Sequence, residues 1–234
     1  MNIVITGAGK GIGKALAEKF AMQPNHIFIC ARNENELVNT AKKIKEKNNA
    51  SIVEYFAADL SKKISADKFA DWLSAKNITT DILINNAGHF IPGSIYNEEE
   101  GTLEKMIAVN LYSAYYVTRA FLPSMIKKKA GHIFNMCSIA SLKAYSNGGS
   151  YSISKHALMG FSKNLREELK LYNIKVTTVY PGAVYTSSWE GSGIEPARIM
   201  EVNDIAEMIY AATLLSPQAC VEDIIIRPLA GDLP

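Results

Sequence analysis

The chain opens on an apolar run, Asn2 to Thr6 (NIVIT), that breaks at once into TGAGKGIG and then into an amphipathic stretch from about Gly11 to Ala21. A strand that turns through glycines into a helix admits few folds. Its helix amides point at whatever lies over the turn, and a pyrophosphate is the kind of anion such amides hold. Gly7, Gly11 and Gly13 let the backbone turn sharply and approach a ligand closely.

The same alternation continues to the end of the chain. Strand-like runs recur at His26 to Ala31, Ser51 to Ala57, Asp81 to Ile84, Gly131 to Met136, Ile174 to Tyr180 and Val221 to Arg227. Between them lie helical patterns at about Glu34 to Lys47, Asn97 to Lys129, Tyr151 to Tyr172 and Asn203 to Leu215. Strands that alternate with helices predict a parallel sheet with right-handed crossovers, and with no repeat or linker they predict one α/β domain over residues 1–234. With 48% apolar residues the chain can bury one sizeable core.

Candidate site residues cluster where these strands end. The second strand closes at Arg32 and Asn33 without an acidic residue, and Lys10 sits in the glycine-rich turn. An acid at that strand end holds a ribose 2′-hydroxyl whereas an arginine accommodates a 2′-phosphate, so the pattern favours NADP(H) over NAD(H). Asp59, after the third strand, is placed either to meet an adenine amino group or to cap a helix near Ser61. The fourth strand runs into NNAG, a turn by composition and, in an open parallel sheet, the end at which ligands bind. Asn110 interrupts an amphipathic helix, where asparagine is unfavourable unless exposed or bonded to something specific.

The most chemical stretch is Ser138 to Lys155, SIASLKAYSNGGSYSISK. Tyr151 and Lys155 are four apart and share a helix face, so the ammonium is expected to lower the phenol pKa from about 10 toward the working pH. Such a tyrosine gives or takes a proton, and Ser138 is the natural second donor to the same substrate oxygen. Taken alone the pair also fits a half-buried face with its charge in solvent; the surrounding motifs give it a chemical role.

Composition excludes other classes. Lysine and arginine number 25 against 23 acidic residues, with both signs scattered, so no nucleic-acid footprint is present. Lys127 to Lys129 read as the solvated end of a helix. Cys30, Cys137 and Cys220 have no paired spacing, so neither a disulfide framework nor a metal site is expected. A β-like run from the second residue leaves no room for a signal peptide, and no apolar stretch is long enough to span a membrane; a cytoplasmic protein is expected.

With TGAGKGIG, NNAG, Asn110, Ser138, YxxxK and the Pro181–Gly182 pair in order along the whole chain, the sequence resembles the short-chain dehydrogenase/reductase family. The resemblance implies a single-domain, doubly wound Rossmann-type fold, a seven-stranded parallel sheet flanked by helices, and a nicotinamide cofactor, here NADP(H). It implies catalytic roles for Asn110, Ser138, Tyr151 and Lys155: Tyr151 as acid in reduction, Lys155 as pKa modulator and ribose ligand, Ser138 as carbonyl anchor, and Asn110 as holder of a relay water through a local helix distortion. Cofactor contacts carry over to Gly7, Lys10, Gly11, Ile12, Gly13, Arg32, Asn33, Asp59, Leu60, Asn86, Ala87, Gly88, Tyr151, Lys155, Pro181, Gly182, Val184 and Thr186. Within the family, GHIF followed by SIAS, PGAVYT and the ending VEDIIIRPLAGD are most similar to bacterial sepiapterin reductases. That likeness implies a pterin or diketone substrate held by Ser138 and Tyr151. Asp232, in the tail 228–234, is either the pterin anchor or a solvated residue. Trp189, in the substrate loop 183–200, either stacks on the substrate or shields the pocket. A 3-oxoacyl-thioester reductase and a catalytically silent NADP(H)-binding sensor are the alternatives. A homo-tetramer or homo-dimer through helices 97–129 and 151–172 is also implied.

Overall fold

Short apolar runs form the strands β1 (Asn2–Thr6), β2 (His26–Ala31), β3 (Ile52–Ala57), β4 (Ile82–Asn85), β5 (Gly131–Met136), β6 (Ile174–Pro181) and β7 (Asp223–Ile226). The computed structural model describes residues 1–48, 50–189 and 191–233. The strands pair into one seven-stranded sheet in the order β3-β2-β1-β4-β5-β6-β7, parallel throughout. The chain winds outward from β1 to β3, returns to the other side of β1 at β4, and continues to β7. A crevice therefore opens between the carboxyl ends of β1 and β4, where doubly wound sheets bind ligands.

Side chains alternate across each strand, so one sequence feeds two cores. On one face Ile3, Ile5, Ile27 and Ile29 pack with Phe20 of α1 (Gly11–Phe20) and Ile209 of α7 (Val202–Thr213). On the other, Val4, Phe28, Leu83 and Ile133 pack with Phe69 of α3 (Lys63–Ser74) and Val117 of α5 (Ser113–Lys128). Helix α2 (Glu34–Lys47) completes the first layer through Leu37, Ala41 and Ile44. No helix among the described residues is long and apolar enough to cross a membrane.

Two expected boundaries move. The helical pattern from Asn97 does not start there, because Gly101 takes a left-handed conformation (φ 81°) and α4 (Thr102–Ile107) begins after it. A π-helical turn, Ala108–Tyr112, then joins α4 to α5. The catalytic-stretch helix starts before Tyr151: α6 spans Gly149–Leu169 and runs on into a 3₁₀ turn, Lys170–Tyr172. The 183–200 loop is tied down by a parallel bridge between Val184 and Met200.

Candidate active site

The glycine-rich turn is a cradle that side chains would fill. Gly7 has φ 66°, and a Cβ there would come within 2.8 Å of Ala87 Cα. A Cβ on Gly13 would strike the Gly7 carbonyl and approach Asn86 Nδ2 to 2.5 Å. Asn86 holds the turn by donating from Nδ2 to the carbonyls of Thr6 and Gly7, while Thr6 Oγ1 accepts from the amides of Asn86 and Ala87 at 3.0 and 2.9 Å. The NNAG turn is thus fastened to the turn after β1. A Cβ on Gly11 would meet Thr186 Cγ2 at 3.4 Å, so the 183–186 segment closes the other side. Gly182 donates to the Ile226 carbonyl at 2.8 Å, and Pro181 and Val184 are buried beneath it. A groove with this narrow glycine floor at a helix N-terminus fits a pyrophosphate.

At the end of β2, Arg32 is exposed and makes no ion pair among the described residues, and Lys10 pairs only distantly with Glu36, at 3.8 Å. Both positive charges face His89 and hold its imidazole below the usual range, after burial as the first cause. Asn33 Oδ1 accepts from Glu36 N at 3.3 Å and caps α2. Asp59 Oδ1 accepts from the Ser61 amide and hydroxyl at 3.2 and 2.7 Å, so one carboxylate oxygen is committed to the local turn. Ile12 packs against the core and Leu60 is buried in it.

Ser138, at the end of β5, is fixed by a reciprocal cap: its Oγ accepts from Ala140 N at 3.1 Å, and Ser141 Oγ accepts from its amide at 3.3 Å. Its hydroxyl is near enough to the Tyr151 phenol to favour the phenolate. One turn along α6, Lys155 is buried, donates to the Met136 carbonyl at 2.7 Å, and stands 5.8 Å from the Tyr151 ring centroid. Strand end and helix start are thereby joined through three of the expected residues.

The expected acidification of Tyr151 is overturned by its burial. Burial pushes the phenol up to about 12; the Ser138 hydroxyl opposes this, and Tyr145 and Cys137 add to it. Burial also draws Lys155 down to about 8. The loss of water at both groups is a larger effect than the one favourable charge their spacing brings together. Tyr151 is consequently a protonated donor at neutral pH.

Asn110 is fully buried in the π-helical turn, which supplies the helix distortion expected there. Its Oδ1 accepts from His89 N at 2.7 Å, and its Nδ2 donates to the His89 carbonyl at 3.0 Å and to Ser154 Oγ at 2.9 Å. Ser154 Oγ in turn donates to the Tyr151 carbonyl at 2.7 Å. Gly88 lies between them: a Cβ there would be 3.1 Å from Asn110 Oδ1 and 3.5 Å from Lys155 Nζ.

Two expected substrate residues stand apart from this cluster. Asp232 pairs with Arg227 at 3.2 Å, and its backbone carbonyl accepts from Arg198 at 3.2 Å; its Oδ1 is buried with no partner. Trp189 closes a 3₁₀ turn, Ser187–Trp189, donating its amide to the Thr186 carbonyl at 2.9 Å, and is partly exposed. Conversely, the structure adds Phe90, whose ring meets that of Tyr151 edge-to-face at 4.8 Å while the residue stays 43% exposed. Two places after NNAG, Phe90 carried a position signal but no pattern. Glu98, in the acidic run before Gly101, reaches the start of α6.

A family model described as short chain dehydrogenase matches residues 1–195, and the chain belongs to that family. It is 30% identical over 239 residues to the sepiapterin reductase of Chlorobaculum tepidum, covering 99% of this chain and 97% of that protein. Among solved structures, a metagenomic short-chain oxidoreductase in complex with NADP is 30% identical with a TM-score of 0.83, over 97% of this chain and 96% of the other. An alcohol dehydrogenase from Thermococcus sibiricus complexed with 5-hydroxy-NADP superposes with a TM-score of 0.90 over 100% and 98% of the two chains, at 24% identity.

Proposed function

We propose that the protein is an NADPH-dependent reductase of a ketone or diketone carbonyl, similar in chemistry to sepiapterin reductases, with Tyr151 as proton donor. The observation that carries this reading is the convergence of Ser138, Tyr151 and Lys155 at the carboxyl end of the sheet, with the Ser138 hydroxyl close enough to act on the Tyr151 phenol. Two neighbouring hydroxyls are placed to share one acceptor, so a carbonyl oxygen between them receives a donor from each. Negative charge grows on that oxygen during reduction, and donors already in position stabilise it there. With its pKa pushed up to about 12, Tyr151 holds a proton at neutral pH and gives it to an alkoxide, a far stronger base.

When bound, the nicotinamide supplies the hydride to the carbonyl carbon. The glycine floor and the α1 amides suit its pyrophosphate, and Arg32 and Lys10 suit a 2′-phosphate. Both NADP-bound relatives above support that choice. Asn110, bonded to His89 and Ser154, holds the helix start and the loop after NNAG in one arrangement, and Lys155 ties the same helix to the end of β5. The pterin or diketone specificity rests on the 30% identity with the Chlorobaculum enzyme.

The test is an NADPH oxidation screen with sepiapterin, 2,3-butanedione and an acetoacetyl thioester. Turnover of the first two supports the reading; turnover of the thioester alone assigns the 3-oxoacyl reaction instead, and NADPH binding without turnover of any carbonyl contradicts a reductase. Arg32→Asp tests the phosphate assignment separately: kcat/KM for NADPH relative to NADH is expected to fall by at least about tenfold, and an unchanged ratio contradicts it.

A further inference from the structure

We infer that Glu98 is a positioning residue for Tyr151, acting as a cap that the catalytic helix receives from another part of the chain. Helix α6 begins at Gly149, and its own N-cap residue, Gly148, has no side chain with which to cap it. The first amides of a helix lack internal acceptors. Glu98 supplies one from 52 residues away: Oε1 accepts from the Ser150 amide at 2.8 Å, and Oε2 accepts from the Ser150 hydroxyl. Ser150 is buried at 2% exposure and immediately precedes Tyr151, so the bond fixes the backbone from which the phenol projects.

The joint is built to bring Glu98 in. Gly149 has φ 33°, and a Cβ there would collide with Glu98 Oε1 and lie 2.5 Å from the Gly93 carbonyl. A Cβ on Gly93 would approach Glu98 Cγ to 2.8 Å. Two further bonds close the same seam: Gly93 N donates to the Asn147 carbonyl at 3.1 Å, and Ser94 Oγ donates to Asn147 Oδ1 at 2.8 Å. Glu98 N donates to the Ser94 carbonyl at 3.0 Å, which turns the carboxylate toward α6. The segment so fastened begins at Phe90, whose ring lies on Tyr151, so one latch orients the phenol from the backbone side and from the ring side.

The inference rests on the proposed role of Tyr151, and the test separates the two. Glu98→Ala, Glu98→Gln and Tyr151→Phe are compared in the NADPH and 2,3-butanedione assay, with NADPH affinity read by fluorescence titration and the first turn of α6 by hydrogen exchange. Glu98→Ala is expected to lower kcat about tenfold, in line with a small misplacement of a reacting group, to leave NADPH affinity within about twofold, and to speed exchange at Ser150 and Tyr151. Glu98→Gln keeps an acceptor for the Ser150 amide and is expected to restore kcat to within about threefold. An unchanged kcat in Glu98→Ala, a kcat loss matched by loss of NADPH-binding protein, or no rescue by glutamine overturns the inference. A fully active Tyr151→Phe overturns the proposed function, and the role of Glu98 with it.

Discussion

Burying the Lys155 ammonium costs the fold stability. The group is offered the Met136 carbonyl as acceptor and is drawn down to about 8 from an ordinary 10.5. Below pH 8 both folded and unfolded chains carry the proton and the desolvation penalty is complete. Between 8 and 10.5 the unfolded chain binds more protons than the folded one, so stability rises with pH in that window. Lys155→Met is therefore expected to abolish turnover yet raise unfolding free energy at pH 7 by about 1–3 kcal/mol, a gain reduced by the unpaired Met136 carbonyl. Urea unfolding from pH 7 to 10.5 checks this: the gain over wild type should shrink as pH rises, and a Met variant less stable at pH 7 contradicts it. At this scale the sequence made the identity of Tyr151, Lys155, Ser138 and Asn110 legible, because spacing along a helix and position at strand ends are local properties. The direction of the tyrosine's pKa was not legible, because it depends first on how much water the folded chain excludes and then on charge interactions with Tyr145 and Cys137.

Among the elements, the glycine turn constrains most. Gly13 has no room for a side chain against the Gly7 carbonyl, a backbone atom that cannot swing aside. Gly13→Ala is expected to destabilise the protein by about 1–3 kcal/mol, as overpacking does, and to weaken NADPH binding by at least about tenfold through the displaced loop. Thermal unfolding and a cofactor titration measure both, and a variant with wild-type values for each contradicts the close approach. Strand boundaries were legible to within two residues from the apolar runs, of which those of β1, β4 and β6 also stop at Gly7, Asn85 and Pro181. Helix α3 was not among the expected helices, although Ala66, Phe69, Ala70 and Leu73 carry helical spacing. The break at Gly101 and the π-helical turn around Asn110 were not placed by pattern, since a run such as EEEGTLEK suits a continuous helix until tertiary contacts bend it.

For the molecule as a whole, the buried polar groups between sheet and helices set the response to acid. His132 on β5 is 6% exposed, with Nε2 2.7 Å from Thr177 Oγ1, and burial followed by Lys175 lowers its pKa to about 3. A histidine held neutral in the fold but protonated near pH 6.5 when unfolded contributes stability present above 6.5 and lost as pH falls toward 3. The expected slope is at most about 1.4 kcal/mol per pH unit. Glu54, whose carboxyl is held below 4.5, adds its own loss only under that pH, so the interval from 6.5 to 4.5 isolates the histidines. His132→Gln should flatten the loss over that interval in chemical unfolding; an unchanged slope would assign it elsewhere. The overall topology was legible because alternation of strand and helix leaves few ways to wind a sheet. Contacts between distant segments, such as Glu98 with α6 or Arg198 with Asp232, were not, because no local pattern records them.

The central claim is that the Tyr151 hydroxyl delivers the proton to a carbonyl oxygen beside a bound nicotinamide. It is tested most directly by kcat of Tyr151→Phe measured alongside its NADPH dissociation constant. The account predicts a kcat loss of roughly 10²–10⁴-fold, the usual contribution of a positioned general acid, with NADPH affinity within about twofold of wild type. Retention of more than about a tenth of wild-type turnover, with the same cofactor affinity, would contradict it.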